Sequence, residues 1–242
     1  MLPFMVNADR FRIPRGGVPA IGKTARLPFA AEYGSFFRGK ASQVKILVLA
    51  PQPFYVERGT PIAVDMMVRS LAARGHTVDL LVYAMGADVQ YPGVRLHRTP
   101  RIPGLGSVRP GFSIKKLLYD ALMVFQALAL ARRLRPDVVH AVEEAAFIAW
   151  LVQRLYGIPY IYDMDSSLPD QVADAVPALR PVRRLMRRLL KPIVAHALLV
   201  APVCDALAES VEPLGPRRVM LLRDVSLLDS AGAGPGKAGR RG

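Results

Sequence analysis

The sequence predicts an α/β fold, a Rossmann-like, doubly wound and mostly parallel sheet. Three observations carry this. Short, β-branched apolar runs recur from Val44 onward, helical patterns of period 3.6 alternate with them, and glycine or proline stands at the joints. Parallel strands joined through helices require right-handed crossovers, and in an open sheet of this kind ligands bind at the carboxyl ends of the strands.

The elements follow in order. "VKILVLA", from Val44, is an apolar run suited to a strand buried on both faces, and it leads into the loop "PQPFYVERGTP". A helix is expected next, because Val64, Met67, Val68 and Leu71 fall at i, i+3, i+4 and i+7, with Gly75 placed to terminate it. "HTVDLLVY" and "GVRLHR" read as the second and third strands. A long helix follows from Ser113 to Arg135, with Ser113 as N-cap, Leu118, Leu122 and Phe125 on one face, and Pro136 as its stop. "DVVHAV" is a fourth strand, "AAFIAWLVQRLYG" a helix ending at Gly157, and "IPYIYDMD" a fifth strand. A basic helix, the run "ALLVAPV", the helix "DALAESVEPLG" and finally "RRVMLLRD" complete the pattern.

The ends differ from this order. Residues 1–43 mix proline, glycine, arginine and aromatics without a period, and are read as a disordered or mis-started extension; residues 226–242 form a Gly-rich basic tail expected to be disordered. One domain is therefore expected over residues 44–225. The ends also hold most of the formal charge of +14, since residues 1–40 carry seven basic residues against two acidic, and residues 217–242 six against two. Within the domain the basic excess gathers in "RPVRRLMRRLLK", which has six basic residues between Arg180 and Lys191. Charge distributed in this way speaks to solubility and weak surface attraction rather than fold. Without aromatic interleaving or a recognised motif, it excludes nucleic acid as the expected partner.

The single Cys204 cannot form an intramolecular disulfide, so a reducing, cytoplasmic setting is expected. No run reaches the roughly 20 apolar residues of a membrane span, and no signal peptide is read at the N-terminus.

Several chemistries are excluded by spacing. "GLGSVR" at Gly104 has Arg109 where a dinucleotide fingerprint needs its third glycine, and it follows the third strand rather than the first. "AGAGPGKAG" has Ala231 and Ala238 where a phosphate loop needs Gly and Ser or Thr, and no helix follows. His76, His97, His140 and His196 lie at no metal-ligand spacing from one another, so no metal site is expected; His76 and His196 are read as structural. What remains is the strand edge. "YDMDSSLPDQ", Tyr162 to Gln171, ends an apolar strand in a burst of oxygens, with Asp163, Asp165, Ser166 and Ser167 where a doubly wound sheet exposes its functional edge. His140, near the end of the fourth strand and just before Glu143 and Glu144, is expected to open onto the same edge. The loop residues Arg58, Gly59 and Thr60 precede the first helix, whose N-terminus suits an anionic group and which Thr60 could cap.

Taken together, "KILVLAPQPFYVERGTPIAVDMMVRSLAARGHTVDLLVY", "RPDVVHAVEEA" and "GIPYIYDMDSSLPDQ" resemble the N-terminal domain of retaining glycosyltransferases of family 4, which have the two-domain GT-B architecture. The resemblance covers residues 44–225, and "YDMDSSLP" is its more distinctive motif. It implies an acceptor-binding domain that works with a second domain holding a nucleotide sugar. That sugar is the donor substrate, and no further cofactor is implied. By motif, Gly59 and Thr60 would approach the donor phosphates with Arg58 beside them. Glu143, Glu144, Asp163, Ser166 and Ser167 would bind substrate, and His140 and Asp165 would serve catalysis. Two positions depart from the family pattern. Many relatives carry histidine where Val142 and Asp165 stand.

"VMLLRDVSLLD" resembles the linker into the donor domain, yet a Gly-rich tail follows it. The isolated chain is therefore expected to be inactive, as a truncated form or as one needing a donor-domain chain as partner. The expected acceptor is a sugar or a lipid-linked sugar. A competing expectation from another class is a non-catalytic module that rests on an anionic membrane surface, or on a partner, through Arg183, Arg184, Arg187 and Arg188 of the basic helix.

Overall fold

The computed structural model describes residues 43–57, 59–104, 114–167 and 182–223. Six strands, β1 (Lys45–Leu49), β2 (Thr77–Val82), β3 (Val94–Arg98), β4 (Val138–Val142), β5 (Tyr160–Met164) and β6 (Leu199–Pro202), form one sheet in the order β3-β2-β1-β4-β5-β6. Every pairing is parallel. The order reverses direction between β1 and β4, which makes this the switch point of the sheet.

The helices are α1 (Gly59–Ala73), α2 (Ile114–Leu134), α3 (Ala145–Tyr156), α4 (Val182–His196) and α5 (Asp205–Val211), followed by a 3-10 turn, Glu212–Leu214. They fall on the two faces as right-handed crossovers require. Val64, Met67, Val68 and Leu71 of α1 pack on Ile46, Val48, Val78, Leu80, Val138 and Ile161. On the opposite face α2, α3 and α4 pack on Leu47, Leu49, Leu81, Val139, Ala141, Tyr160 and Tyr162. Alternation along each strand feeds both cores, which is why the strand sequences are continuously apolar.

The joints obey the expected local chemistry. Gly75 takes φ +87° just past α1, its N–H donating to Ala72 O at 2.9 Å, and Gly157 takes φ +70° after α3, donating to Gln153 O at 2.9 Å. Arg135 ends α2 in a left-handed conformation, φ 44°, immediately before Pro136.

Two expectations about helices are corrected. The buried face of α2 is Tyr119, Met123, Ala127, Leu130 and Ala131, whereas Leu118 is 44% and Phe125 73% exposed and Leu122 is half-buried. This helix is apolar nearly all round, so periodicity did not single out a face; Ala127 and Ala131 are small enough to let the helix approach the sheet. Thr60 is not a cap, because α1 already begins at Gly59 and the threonine lies inside its first turn. The proposed cap Ser113 lies outside the described residues.

The segment "RRVMLLRD" adds no full strand. It runs beside β6 through one parallel bridge, Val200 with Val219, and the bonds Met220 N–H to Val200 O at 3.0 Å and Leu222 N–H to Pro202 O at 2.9 Å. Met220 and Leu221 are nonetheless buried, so the segment covers what would be an open edge. Among the described residues no helix is long and apolar enough to cross a membrane.

Candidate active site

The carboxyl ends of β4 and β5 carry the polar residues that the sequence singled out. His140 and Asp163 stand on neighbouring strands, and Nε2 of His140 lies 2.9 Å from Oδ2 of Asp163. His140 is fully buried. The expectation that it opens onto the edge is therefore corrected: two residues before the end of β4, paired with Val48 on one side and Ile161 on the other, its ring is enclosed by the sheet and its contact with the edge runs through Asp163. Asp163 is itself buried, and its second oxygen, Oδ1, has no hydrogen-bond partner.

Beyond β4 the chain turns sharply. Glu143 adopts φ 51°, a left-handed conformation uncommon for a residue with a side chain, and its N–H donates to Asp163 O at 2.9 Å. Strained positions of this kind concentrate at functional sites. The Glu143 carboxyl is held above its ordinary pKa, first by burial and then by the charge of Asp163, with Ser166 and Lys116 pulling the other way. Ser166 Oγ is buried and meets no partner in good hydrogen-bond geometry, so its influence on Glu143 is one of proximity. Asp165, Ser166 and Ser167 follow β5 directly and are half-buried, and the charge of Asp165 helps to push up the buried Tyr162 hydroxyl after the larger effect of its burial.

A second group was not foreseen. Lys116 of α2 forms an ion pair with Glu144 Oε1 at the start of α3 and lies 3.8 Å from Asp120 Oδ2 one turn along its own helix. The Tyr83 hydroxyl, just past β2, donates to Asp120, and Lys116 Nζ stands 5.9 Å from the Tyr83 ring centre. Burial raises the Asp120 pKa and lowers that of Lys116, and each opposes the other's shift. Glu144, at the N-cap of α3, makes no side-chain cap. Its carboxylate is committed to Lys116 instead. The one local signal for this group was the i, i+4 spacing of Lys116 and Asp120.

The loops after β1 and β2 are fastened by Arg98, at the end of β3. Its guanidinium donates to Phe54 O at 2.7 Å, Met85 O at 3.0 Å and Ala87 O at 2.6 Å, and pairs with Asp88 at 3.2 Å. Gly86, at φ +120°, lies so close to Phe54 that a Cβ there would come within 2.1 Å of Phe54 O.

Gly59 is exposed and Thr60 half-buried at the N-terminus of α1, on the other face of the sheet from Lys116. Arg58 lies outside the described residues, as do the side chains of Arg183 and Arg184; Arg187 and Arg188 are exposed on α4. His76 accepts from Val44 N–H at 3.3 Å, and His196 Nδ1 lies 2.7 Å from Pro192 O, so both are engaged with backbone. No group of three or more His, Cys, Asp or Glu among the described residues could hold a metal ion.

The family model "Glycosyl transferase 4-like domain" matches residues 58–223, and the chain belongs to that family. Among solved structures, sucrose-phosphate synthase from Thermosynechococcus elongatus is similar at a TM-score of 0.60 and 15% identity, over 76% of this chain and 48% of that one. A second structure of the same enzyme gives a TM-score of 0.54 at 13% identity, over 76% of this chain and 90% of that one. These likenesses establish the shared GT-B domain fold. The chain spans about half the length of the first of these structures. No curated protein matched the sequence.

Proposed function

We propose that this domain is the acceptor-side half of a retaining, nucleotide-sugar-dependent glycosyltransferase, and that transfer requires a donor-binding domain supplied in the same chain or another. The observation that carries this reading is the gathering of Glu143, Asp163, Asp165, Ser166 and Ser167 at the carboxyl ends of β4 and β5, beside the switch point where α1 begins. In the reaction the acceptor oxygen bonds to the anomeric carbon, the bond from that carbon to the nucleotide diphosphate breaks, and the hydroxyl proton leaves with the diphosphate. Stabilising that leaving group is a large part of such catalysis, and the donor domain provides most of it. On this side Asp165 and Glu143 face the acceptor, Gly59 and Thr60 approach the diphosphate, and His140 acts through Asp163 as a positioning residue.

The test is reconstitution. The 242-residue chain alone should transfer no sugar from a nucleotide sugar, and activity should appear when a family donor domain is fused or added. In the reconstituted enzyme Asp165→Ala should lower the rate while leaving the melting temperature nearly unchanged. Robust transfer by the chain alone overturns the half-enzyme reading.

A second reading, compatible with the first, is that α4 rests on an anionic membrane surface. Its support is that Leu185 and Leu189 are both 54% exposed, on a helix turn that also exposes Arg187 and Arg188.

A further inference from the structure

Helix α2 leaves an outer face uncovered. Leu118, Ala121, Phe125 and Ala129 fall at i, i+3, i+7 and i+11 and are exposed, Phe125 the most so, while Tyr119, Met123, Ala127, Leu130 and Ala131 are buried on the sheet side. From Leu118 to Ala129 this outer face carries no charged side chain, and its two alanines flank Phe125 and leave room for large side chains. An apolar stripe of that kind marks a contact surface rather than a solvated one. What covers it is narrowed by where the chain enters the sheet. Val44 O accepts from Thr77 N–H at 3.0 Å, Lys45 N–H donates to Asp137 Oδ2 at 2.9 Å, and Asp137 N–H donates back to Lys45 O at 2.8 Å. Asp137 follows closely on Leu134, the last residue of α2, so residues 1–42, which lie outside the described residues, are tethered beside the C-terminal end of that helix.

We propose that residues 26–37 of this chain dock on the outer face of α2 and complete the apolar packing of the domain on that side. The tethered segment has the composition for it: residues 1–42 hold five of the nine phenylalanines, against four in residues 43–242. A solvated tail is poor in aromatics. No period runs through the whole segment, but near its end Phe29, Tyr33, Phe36 and Phe37 fall at i, i+4, i+7 and i+8, the anchor spacing of a helix laid on an apolar surface, and Pro28 is well placed to open that helix. Gly34 weakens such a helix in isolation, so its order depends on the surface it covers. The lengths agree. The six steps from Phe37 to Gln43 reach at most about 20 Å, and Phe125 lies about 14 Å from the end of α2 along its axis, so Phe36 and Phe37 come within reach of Phe125. A helical rise of about 12 Å from Phe37 back to Phe29 then matches the roughly 11 Å from Phe125 to Leu118. Charge does not drive this contact, because Arg26, Arg38 and Lys40 flank the aromatics while Lys115, Arg132 and Arg133 flank the face. The attraction is apolar, and rising salt leaves it intact.

The experiment uses the full chain with Cys204→Ser and two introduced thiols, joined by a short bifunctional thiol reagent. One variant pairs Ala30→Cys with Ala121→Cys on the outer face of α2. The control pairs Ala30→Cys with Ala73→Cys, a position exposed at the end of α1, on the opposite face of the sheet and close to the tether at Thr77. A segment held by its tether alone should link to position 73 at least as readily as to position 121. A docked segment should link to position 121 about tenfold faster, because docking raises the local concentration of one thiol around the other above what the tether sets. Phe29→Ser with Phe37→Ser, or Phe125→Ser at its exposed position, should bring that rate down to the control's, and added salt should leave it unchanged. Equal rates in the two pairs overturn the proposal, as does a fast rate at position 121 that survives the Phe29 and Phe37 substitutions. Linked dimers in place of the intramolecular product, increasing with protein concentration, overturn it too and assign the face to a second copy of the chain.

Discussion

Nε2 of His140 and Oδ2 of Asp163 are 2.9 Å apart on adjacent strands, beneath the edge where Asp165, Ser166 and Ser167 follow β5. This pairing makes a fully buried histidine a support of the Asp163 carboxylate. Removing one member of a buried pair leaves the other uncompensated, at a cost of about 3–5 kcal/mol for fully buried cases. His140→Ala should therefore destabilise the domain by an amount approaching that range in chemical denaturation, and His140→Gln, which can still donate to Asp163, by clearly less. Equal losses for both would mean that the ring's packing, and not its bond to Asp163, is what matters.

Glu143 leads to a pH prediction. Its folded-state pKa is raised above the ordinary value of 4.5, and that of Asp120 above 3.8, in both cases chiefly by burial. A group that holds its proton more tightly when folded favours the folded state below its unfolded pKa, and this contribution is lost as pH rises through the folded value. The stability of the domain should thus fall as pH climbs from the ordinary carboxylate range toward the raised values, and then level off. Glu143→Gln should flatten part of that decline and raise the melting temperature at pH 7. A variant with the unaltered pH slope would show that Glu143 is ionised at no cost.

The sheet was legible in the sequence because parallel strands buried on both faces leave continuous apolar runs, as in β1 and β4, and because Gly75 and Gly157 mark helix ends. Asp163, Asp165 and Ser166 were legible as edge residues because they follow directly on such a run. The Tyr83, Lys116, Asp120 and Glu144 group was not, since it joins β2, α2 and α3 across gaps of more than 25 residues, and only tertiary packing brings them together. The face of α2 was hidden for another reason. A helix rich in alanine and leucine on all sides offers no stripe to read, and the choice is made by which side fits closest to the sheet.

Arg98 predicts the behaviour of the two loops that border the edge. One guanidinium satisfies carbonyls from both loops, and its planar fork cannot be reproduced by a lysine ammonium. Arg98→Ala should cost about 2–3 kcal/mol, given hydrogen bonds to a charged group and carbonyls left unpaired, and Arg98→Lys should recover less than half of it. Hydrogen exchange at the amides of residues 54, 55 and 87 should accelerate in both. Gly86→Ala should be comparably harmful, because its Cβ would overlap Phe54 O and its φ of +120° is unfavourable for alanine. Retained exchange protection in the Arg98 variants would assign the loop closure to backbone bonds alone.

The last prediction concerns α4. Its C-terminal half is anchored by Leu190, Ile193 and Val194, while Leu185 and Leu189 stay exposed among arginines. Such a helix can lie along a bilayer surface, with leucines entering the headgroup boundary and arginines meeting anionic lipid. Each basic side chain near an anionic surface contributes about 1 kcal/mol, and the attraction decays over a Debye length of about 8 Å at physiological ionic strength. The full chain should therefore sediment with vesicles containing phosphatidylserine, fail to do so with neutral vesicles, and dissociate as salt rises. Substituting Arg183, Arg184, Arg187 and Arg188 together by Gln should abolish binding. Leu185→Ser with Leu189→Ser should weaken it at low salt as well, which separates insertion of the leucines from charge attraction alone. Binding that survives the four Gln substitutions would make the basic run an ordinary solvated helix face.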